Sequence, residues 1–583
     1  MTPSLIDADS LLAIDVGTIN TRAMLFDVVD GRYRFVAVGS SPSTAGAPYR
    51  DIGEGVHRAV ERLQEVTGRI LLGSDARLII PAQGGGGVDA CVATLSAGKP
   101  MRVMAVGLLE NVSAESAQNL ASTTYAQVVE TLSLNDRRKP AARIDAIVRL
   151  RPDLIIVAGG TEGGASRSVM NLLEPIGLAC YLLPEGTRPE VLYVGNQALT
   201  QEVKSALDTV ASLHLAPNIR PTLEVEQLAP AQVQLTQIFR LVRSRQIGGV
   251  QELDLWTGGS LTPTGAAFGR MINLLSRIYA PRGVLGVDVG ASATVAAAAF
   301  SGELTLGVYP RFGLGEGLAG FSSISPLEEI LRWLPVEMTE NTVRDYLHNK
   351  ALYPASLPLT AEELALEQAL ARQMIYLSVR KVCASLPLGR APALKAGLLP
   401  WFDPLVGAGS VLTAAPTRGQ SLLMMLDGIQ PTRTAVMTLD QNNLLAALGV
   451  AALRNPTLAV QVLESGVLLD LGTVISPVGH APYGTPCLRL KITYPSGDSA
   501  NLDVKNGALE LLPLGTGQKA TLQLTPLNAF DVGNGPGRSI KLGVRGGVLG
   551  SVIIDARGRP LRLPADADRR RELHRKWLAT LGG

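Results

Sequence analysis

Two Asp-Gly turns that carry hydroxyl side chains are the segments of this sequence best suited to chemistry. The first spans Asp15–Arg22 and includes Gly17, Thr18 and Thr21; the second spans Asp288–Thr294. Glycine lets backbone N–H groups approach an anion, hydroxyls add hydrogen bonds, and the carboxylate can hold a hydrated Mg²⁺. One such turn is usually only a hairpin, but two matched turns predict that both grip a single polyphosphate from opposite sides.

The residues assigned to this site fall into two groups. Asp15 and Asp288 are the predicted catalytic carboxylates and the predicted holders of hydrated Mg²⁺. Catalysis at such a site rests on charge neutralisation and positioning more than on covalent chemistry. The residues predicted to contact the phosphates are Gly17, Thr18, Asn20, Thr21, Gly290, Ala291, Ser292 and Thr294.

Each turn lies between strands of a predicted three-stranded antiparallel meander. Short apolar runs separated by Asp-Gly and Ser-Gly turns are typical of such strands. Because the same unit occurs twice, the sequence predicts a duplicated two-lobed α/β core. The predicted strands are Leu11–Val16, Thr21–Asp27 and Tyr33–Val38 in the first copy, and Val284–Val289, Thr294–Phe300 and Leu304–Tyr309 in the second.

Between the two meanders the pattern changes to alternating strands and helices. This alternation predicts an inserted α/β subdomain with a parallel sheet. The predicted helical run is Ser113–Leu132. The predicted strands are Arg102–Val106, Asp153–Ala158, Leu178–Leu183 and Val191–Val194.

The division into domains follows these changes of pattern. Residues 1–100 are predicted to form the first lobe, 101–215 the inserted subdomain, and 216–456 an interlobe helix with the second lobe. In residues 457–565, β-type segments alternate with Gly, Pro and Asp turns, which predicts a separate all-β domain of sandwich or barrel type. Residues 566–583 are predicted to form a solvated surface helix.

Composition excludes several classes of function. The 583 residues carry a net charge of only +2, which is too even a balance for the basic surface that nucleic acids require. The four cysteines and five histidines are dispersed, without the spacing of a zinc site. We expect no membrane partner, because charged residues or proline interrupt the most apolar stretches, and no signal peptide in residues 1–10. A cytoplasmic location is therefore expected.

Further segments occur in the order that the actin/Hsp70/sugar-kinase superfamily uses. Pro263–Ala267 resembles its first connecting helix, in which small residues let two interlobe helices cross closely, and Ala447–Ala451 resembles the second. Leu405–Ser410 resembles its adenosine loop. The resemblance implies an actin-like (ribonuclease H-like) fold that binds ATP or ADP with Mg²⁺. It also implies that adenosine is seated by Gly407, Ala408, Gly409 and Ser410.

The resemblance narrows to the accessory, or activator, family of adenosylcobalamin-dependent glutamate mutase (MutL-like), over most of residues 11–453. Gly159–Gly164, which follows a buried apolar run, is its most specific segment. The family implies an ATP-dependent reactivating factor that acts on a protein client, a cobalamin-dependent mutase, by exchanging its damaged cofactor. The other segments that carry the resemblance are Ala82–Gly87, Val106–Leu108, Ser113–Glu115, Pro152–Ala158, Val194–Asn196 and Pro217–Pro221.

Two departures from the family pattern bear on hydrolysis. Ala291 stands where the second loop of the family has a glycine, and Val295 stands about where the family has an acid. The first change adds a methyl group beside the phosphate, and the second removes a carboxylate that could orient water. The sequence therefore predicts a slow Mg-dependent ATPase and leaves open whether turnover occurs.

Two other functions remain open on the sequence. A small-molecule kinase also needs two facing phosphate loops, with a base near the acceptor hydroxyl. A non-catalytic actin-like scaffold would use nucleotide as a structural ligand. Two glycine-rich loops have open readings as well: Gly159–Gly164 is either a ligand loop or a tight strand-to-helix turn, and Asp531–Arg538 either mimics a phosphate loop or forms a long hairpin loop.

Overall fold

The structure is a computed structural model that describes residues 10–387 and 397–583. Residues 1–9, where no signal peptide is predicted, and residues 388–396 lie outside the described residues. In the first lobe, the meander pairs antiparallel and the fourth strand joins its first strand in parallel. The elements of this lobe are β1 Ser10–Val16, β2 Asn20–Val29, β3 Arg32–Pro42, α1 Gly53–Thr67 and β4 Ala90–Leu95.

The inserted subdomain is a parallel sheet of five strands in the order β6-β5-β7-β8-β9. Apolar residues of the strands and helices pack into a core of their own, in which Ile155, Val157 and Cys180 are fully buried. Its elements are β5 Met101–Gly107, α2 Glu115–Ala121, β6 Ala126–Ser133, α3 Pro140–Leu150, β7 Leu154–Val157, α4 Ser166–Leu182, β8 Glu190–Tyr193, α5 Thr200–Leu207 and β9 Ser212–Leu215.

Two predictions within this subdomain are wrong. The predicted helical run Ser113–Leu132 contains most of β6, and the predicted strand Leu178–Leu183 is the end of α4. Pro175 lies inside α4. Because proline usually ends or kinks a helix, its position favours the interpretation of the apolar run after it as a new element. A short apolar run has no periodicity that separates a buried strand from a helix end.

The second lobe repeats the strand order of the first. Its sheet begins β13-β12-β11-β14-β15, and the first-lobe sheet runs β3-β2-β1-β4-β10. The predicted duplicated actin-like fold is therefore confirmed. The elements leading to and forming this lobe are α6 Ala229–Gln246, α7 Val250–Trp256, β10 Thr262–Pro263, α8 Thr264–Ile278, β11 Gly283–Val289, β12 Thr294–Phe300, β13 Glu303–Tyr309, α9 Leu327–Leu331, α10 Glu340–Leu352, α11 Ala361–Ala384, β14 Phe402–Ala408, α12 Ser410–Thr413, α13 Arg418–Ile429, β15 Arg433–Leu439 and α14 Leu445–Ala451.

The strands after residue 457 belong to two sheets. The second-lobe sheet continues past β15 into β16, β22 and β19, whereas β18-β17-β20-β21 form an antiparallel sheet that packs its apolar face on this extension. The all-β segment is thus half of a sandwich whose other half is second-lobe sheet. Its elements are α15 Pro456–Glu464, β16 Leu469–Ser476, β17 Pro486–Thr493, β18 Ser499–Lys505, β19 Leu509–Pro513, β20 Lys519–Pro526, β21 Ile540–Arg545, β22 Ser551–Asp555 and α16 Ala567–Thr580.

The final helix α16 is not a solvated surface helix. Leu573, Trp577 and Leu581 are buried in the core of the second lobe, and a hydrogen bond joins His574 Nε2 to the carbonyl of Arg332. The sequence favours an exposed helix here because five basic residues lie between 569 and 576, and they hide the few apolar residues that the helix buries. In the described part of the chain, no helix has the length and apolar character to cross a membrane.

Candidate functional site

The carboxylate of Asp15 lies near the end of β1 and is almost fully buried. Its Oδ1 accepts hydrogen bonds from Thr94 Oγ1 at 2.7 Å and from Thr264 Oγ1 at 3.3 Å. Arg22 Nη2 donates to its Oδ2 at 2.6 Å and forms an ion pair. Thr94 lies on the parallel neighbour β4 and Thr264 begins α8, so three elements fix this carboxylate.

Asp288 occupies the same position on β11 of the second lobe. Burial and, to a lesser extent, the charges of Asp15 and Asp440 together raise the pKa of its carboxyl to about 7, while the charge of Arg22 opposes them. Burial likewise raises the pKa of Asp440. The structure therefore brings Asp15 and Asp288 together, with Asp440 as a third acidic neighbour, and these three residues form an acidic cluster. The positive charge of Arg22 partly offsets their negative charges.

Asp440 was missed in the sequence. The strands β10 and β15 occupy corresponding positions in the two lobe sheets. Asp440 is the first residue after β15 and Thr264 is the first residue after β10, so a comparison of the two copies in the sequence could have found Asp440. The Asp440 carboxylate accepts hydrogen bonds from the N–H groups of Leu444 and Leu445 at 2.8 Å each. It thereby holds the start of α14 against the acidic cluster.

The two hairpin turns have matching backbone geometry. Gly17 N–H donates to the carbonyl of Asn20 at 2.9 Å, and Gly290 N–H donates to that of Ala293 at 3.0 Å. In the first turn, the buried hydroxyls of Thr18 and Thr21 have no hydrogen-bond partner among the described residues. A buried hydroxyl without a partner is costly, so these two atoms fit a polar ligand in the turn.

The second turn differs from the first. Thr294, which corresponds to Thr21 in strand register, donates its hydroxyl hydrogen bond to the carbonyl of Phe312 at 2.5 Å. A Cβ at Gly313 would lie 2.4 Å from the carbonyl oxygen of Ala291, so the chain after β13 passes directly against this turn. Ser292 is half-buried. The contact of Thr294 with phosphate stays a prediction, and its hydroxyl already donates a hydrogen bond within the second lobe.

The predicted adenosine segment joins β14 to α12. Gly407 packs against the second-lobe core, because a Cβ there would lie 2.7 Å from Met425 Sδ. Gly409 has φ +95°, and its N–H donates to Asn443 Oδ1 at 2.9 Å. Ala408 is buried and Ser410 is exposed. The geometry explains why glycines stand here, and contact with adenosine stays a prediction.

Two contacts join the lobes beside the acidic cluster. Helices α8 and α14 cross so closely that a Cβ at Gly449 would lie 1.9 Å from the carbonyl oxygen of Ala267. This is the close crossing of small residues expected for the connecting helices. Arg22 adds a second contact, since its Nη1 donates to the carbonyl of Asn442 at 3.1 Å while its Nη2 holds Asp15.

The inserted subdomain also reaches the acidic cluster. The charges of Asp288 and Asp15 add to burial in raising the pKa of Tyr125, which lies just before β6. The N–H of Val308, on β13, donates to the carbonyl of Ser122 at 2.7 Å. The insert therefore contacts the second lobe next to the acidic cluster.

The acidic cluster suits a hydrated cation better than a dehydrated one. Across residues 10–387 and 397–583, no group of three or more His, Cys, Asp or Glu side chains is close enough to hold a metal directly. Mg²⁺ usually keeps several waters and takes one or two carboxylates, and crowded carboxylates favour a cation between them. Asp15 and Asp288 are the residues that would hold it.

The sequence profile of the MutL protein family matches residues 11–467. The chain belongs to this family. The resemblance to the glutamate mutase accessory family is thereby confirmed. The MutL match ends before β16, so the strands of the C-terminal sandwich lie beyond it.

One relative and two solved structures illustrate the similarity. Protein MutL of Clostridium tetanomorphum is 23% identical over 487 residues, which cover 78% of this chain and 98% of the relative. Nucleotide-free acetone carboxylase has a TM-score of 0.30 at 11% identity, covering 86% of this chain and 81% of its own. Xylulose kinase of Bifidobacterium adolescentis has a TM-score of 0.29 at 10% identity, covering 80% and 96%.

The MutL segment Gly159–Gly164 forms the loop between β7 and α4. Asn218 Nδ2 donates to Glu162 Oε1 at 2.8 Å and to the carbonyl of Gly160 at 3.0 Å, and Asn196 Nδ2 donates to the carbonyl of Gly164 at 2.8 Å. Three segments that carried the resemblance therefore meet in one hydrogen-bonded loop cluster. The carboxylate of Glu162 stabilises this loop cluster by accepting the hydrogen bond from Asn218.

Proposed function

We propose that this MutL family member binds Mg-ATP in the cleft between its lobes. The observation that carries the proposal is the electrostatic coupling of the buried carboxylates of Asp288 and Asp440 with Asp15, beside two matching hairpin turns. The pKa values of Asp288 and Asp440 are raised, and repulsion among these buried carboxylates costs stability; buried groups with shifted pKa values concentrate at functional sites.

Each residue of the cleft has a distinct task in this proposal. The hydroxyls of Thr18 and Thr21, which lack partners among the described residues, donate hydrogen bonds to phosphate oxygens. Asp15 and Asp288 orient the hydrated Mg²⁺, and Arg22 offsets phosphate charge beside Asp15. Gly290, Ala291 and the adenosine segment complete the enclosure from the second lobe.

Bound Mg-ATP would supply a γ-phosphoryl group whose cleavage needs little covalent help from the protein. Val295 is buried at the position of β12 that matches Arg22 on β2, so this position offers no carboxylate to orient water. We therefore propose slow hydrolysis. Presence or loss of the γ-phosphate shifts the lobes between two arrangements.

The client is proposed to be a protein, with a cobalamin-dependent mutase as the example that the MutL family implies. Movement of the second lobe would reach the client through the inserted subdomain, because Ser122 and Tyr125 contact the cleft side of that lobe. A cytoplasmic location is proposed because the four cysteines are buried free thiols.

Isothermal titration calorimetry with Mg-ATP, followed by phosphate release in the same samples, tests the proposal. We expect Asp288→Ala to weaken Mg-ATP binding by at least about tenfold, because a carboxylate that holds the cation is gone. Asp503→Asn is the matched control, since it removes an exposed carboxylate paired with Arg489, far from the cleft. Equal affinities in all three proteins would refute the nucleotide site.

A non-catalytic role for the nucleotide is the second candidate. The engaged hydroxyl of Thr294 and the buried Val295 favour it, because both remove polar groups from the second turn. Tight binding of Mg-ATP that depends on Asp288, with no phosphate release above that of Asp288→Ala, would establish this role. Phosphate release by the wild type that exceeds the release by Asp288→Ala would establish the ATPase activity.

A further inference from the structure

A cavity of about 730 Å³ lies between the second-lobe sheet and the four-stranded sheet, away from the acidic cluster. Val436 and Thr473 line it from β15 and β16, and Thr493, Thr521 and Leu542 line it from β17, β20 and β21. Small-molecule pockets usually enclose about 300–1,000 Å³ and mix apolar walls with a few polar groups. The size and lining are those of a ligand site.

The lining of this cavity is strongly basic. It contains Arg282, Arg433, Lys519 and Arg545 against a single carboxylate, that of Asp403. Arg282 Nη1 binds Asp403 Oδ2 at 2.6 Å, and Oδ1 of Asp403 accepts from a backbone N–H of β15 at 2.9 Å. Across the described ranges, the other three basic side chains form no ion pair within 4.0 Å, although Asp470, outside the lining, is close enough to Arg545 for the two charges to interact. The lining residues alone carry a surplus of positive charge, which favours an anionic occupant.

Trp401 places an aromatic surface beside two of these cations. The guanidinium carbons of Arg282 and Arg433 lie 5.5 and 5.8 Å from the ring centre. Trp401 Nε1 donates to the carbonyl of Thr434 at 2.7 Å, which fixes the ring. The stem of Arg433 packs on Gly533, where a Cβ would lie 3.3 Å from Arg433 Cδ. Packing on both sides therefore holds the Arg433 guanidinium in place.

We propose that this cavity binds a small organic phosphate monoester with an apolar ring. The ring packs on Trp401 and Leu542, and the phosphate lies among Arg433, Lys519 and Arg545. A dianion offsets more of the surplus charge than a single carboxylate, and arginine presents paired donors that match phosphate oxygens. The site is separate from the proposed nucleotide cleft and does not depend on it.

Calorimetric titration of the full chain with 1-naphthyl phosphate tests this site. We expect it to bind at least about tenfold more tightly than either 1-naphthol, which lacks the charge, or inorganic phosphate, which lacks the ring. The double substitution Arg433→Gln/Lys519→Gln is expected to weaken 1-naphthyl phosphate by about tenfold or more and to leave Mg-ATP affinity unchanged. Lys491→Gln is the matched control, because Lys491 is exposed on β17 and outside the lining.

Several results would overturn the proposal. Binding of 1-naphthyl phosphate that Mg-ATP displaces and the double substitution leaves intact would place it in the cleft. No measurable binding to the wild-type chain, or equal binding of 1-naphthol, would remove the anion site. Displacement by a poly-glutamate peptide that binds more tightly than 1-naphthyl phosphate would make the cavity a docking site for an acidic protein segment.

Discussion

At the scale of the residue, the charge of Asp288 sets a pH dependence. Its pKa is raised to about 7, so between about pH 4 and pH 7 the folded chain holds a proton that the unfolded chain has released. The free energy of unfolding therefore falls as pH rises through this interval. Without Mg²⁺ and nucleotide, Asp288→Asn should be more stable than the wild type by up to about 4 kcal/mol at about pH 8.

Urea unfolding at about pH 5 and about pH 8 measures this difference. The gain from Asp288→Asn should be small at the lower pH, where the wild-type carboxyl is largely protonated, and larger at the higher pH. Asp503→Asn should give no gain at either pH, because its exposed ion pair contributes little. A gain from Asp288→Asn that is the same at both pH values would contradict the assigned charge repulsion.

The sequence could predict that Asp15 and Asp288 lie near each other, because their turns repeat a recognisable pattern. It could not supply Arg22 as their balancing charge or Asp440 as their neighbour. Arg22 is in the first turn, but its link to Asn442 joins residues that are distant in the chain. Such contacts depend on how two lobes are placed, which no local pattern encodes.

At the scale of the element, the crossing of α8 and α14 depends on the absence of a side chain at Gly449. A Cβ there would lie 1.9 Å from a backbone oxygen and 2.6 Å from a backbone carbon of Ala267, so the helices must move apart. Gly449→Ala should destabilise the chain by about 1–3 kcal/mol, although Gly→Ala inside an unstrained helix is usually stabilising. It should also weaken Mg-ATP binding, because the cleft lies beside the crossing.

Thermal unfolding and calorimetry check this expectation together. Gly320→Ala is the control, because a Cβ at Gly320 would meet nothing within 4 Å. It should leave both the stability and the affinity for Mg-ATP close to those of the wild type. A stabilising effect of Gly449→Ala would mean that the two helices are not in contact at this point.

Elements with local turn signals were predictable and those fixed by distant partners were not. The meanders follow from Asp-Gly and Ser-Gly turns between apolar runs. β6 and β9 pair in parallel with strands from other parts of the insert, so their sequence alone does not mark them. The same holds for β16, which pairs with β15 on one side and with β22 on the other.

At the scale of the whole molecule, a buried ionic network joins the C-terminal segment to the second lobe. Asp427, on α13, binds Arg372 of α11 at 2.9 Å and Arg557 at 2.6 Å, and Arg557 also binds Asp555 at 2.8 Å. Arg559 donates to Asp555 as well. The domain boundary at residue 457 stays a prediction, but both the sheet and this network cross it.

Replacing Asp427 tests whether the lobe and the C-terminal segment fold as one unit. Asp427→Asn would leave the guanidinium groups of Arg372 and Arg557 buried without their shared counter-charge, so a loss of about 3–5 kcal/mol is expected. Urea unfolding should be followed by tryptophan fluorescence and by far-ultraviolet circular dichroism. Fluorescence is suitable because the ring centre of Trp577 lies 4.7 Å from the Arg557 guanidinium carbon. Both probes should shift together to lower urea.

The control is Asp503→Asn, which removes an exposed carboxylate on β18. It should leave the urea midpoints of both transitions unchanged. An early fluorescence transition followed by a separate loss of circular dichroism would mean that α16 and its neighbours detach before the lobes unfold. That outcome would support an independent C-terminal domain. Coincident transitions would instead mean that the eight-stranded sheet transmits the loss across residue 457, because β16 and β22 belong to the same sheet as β15.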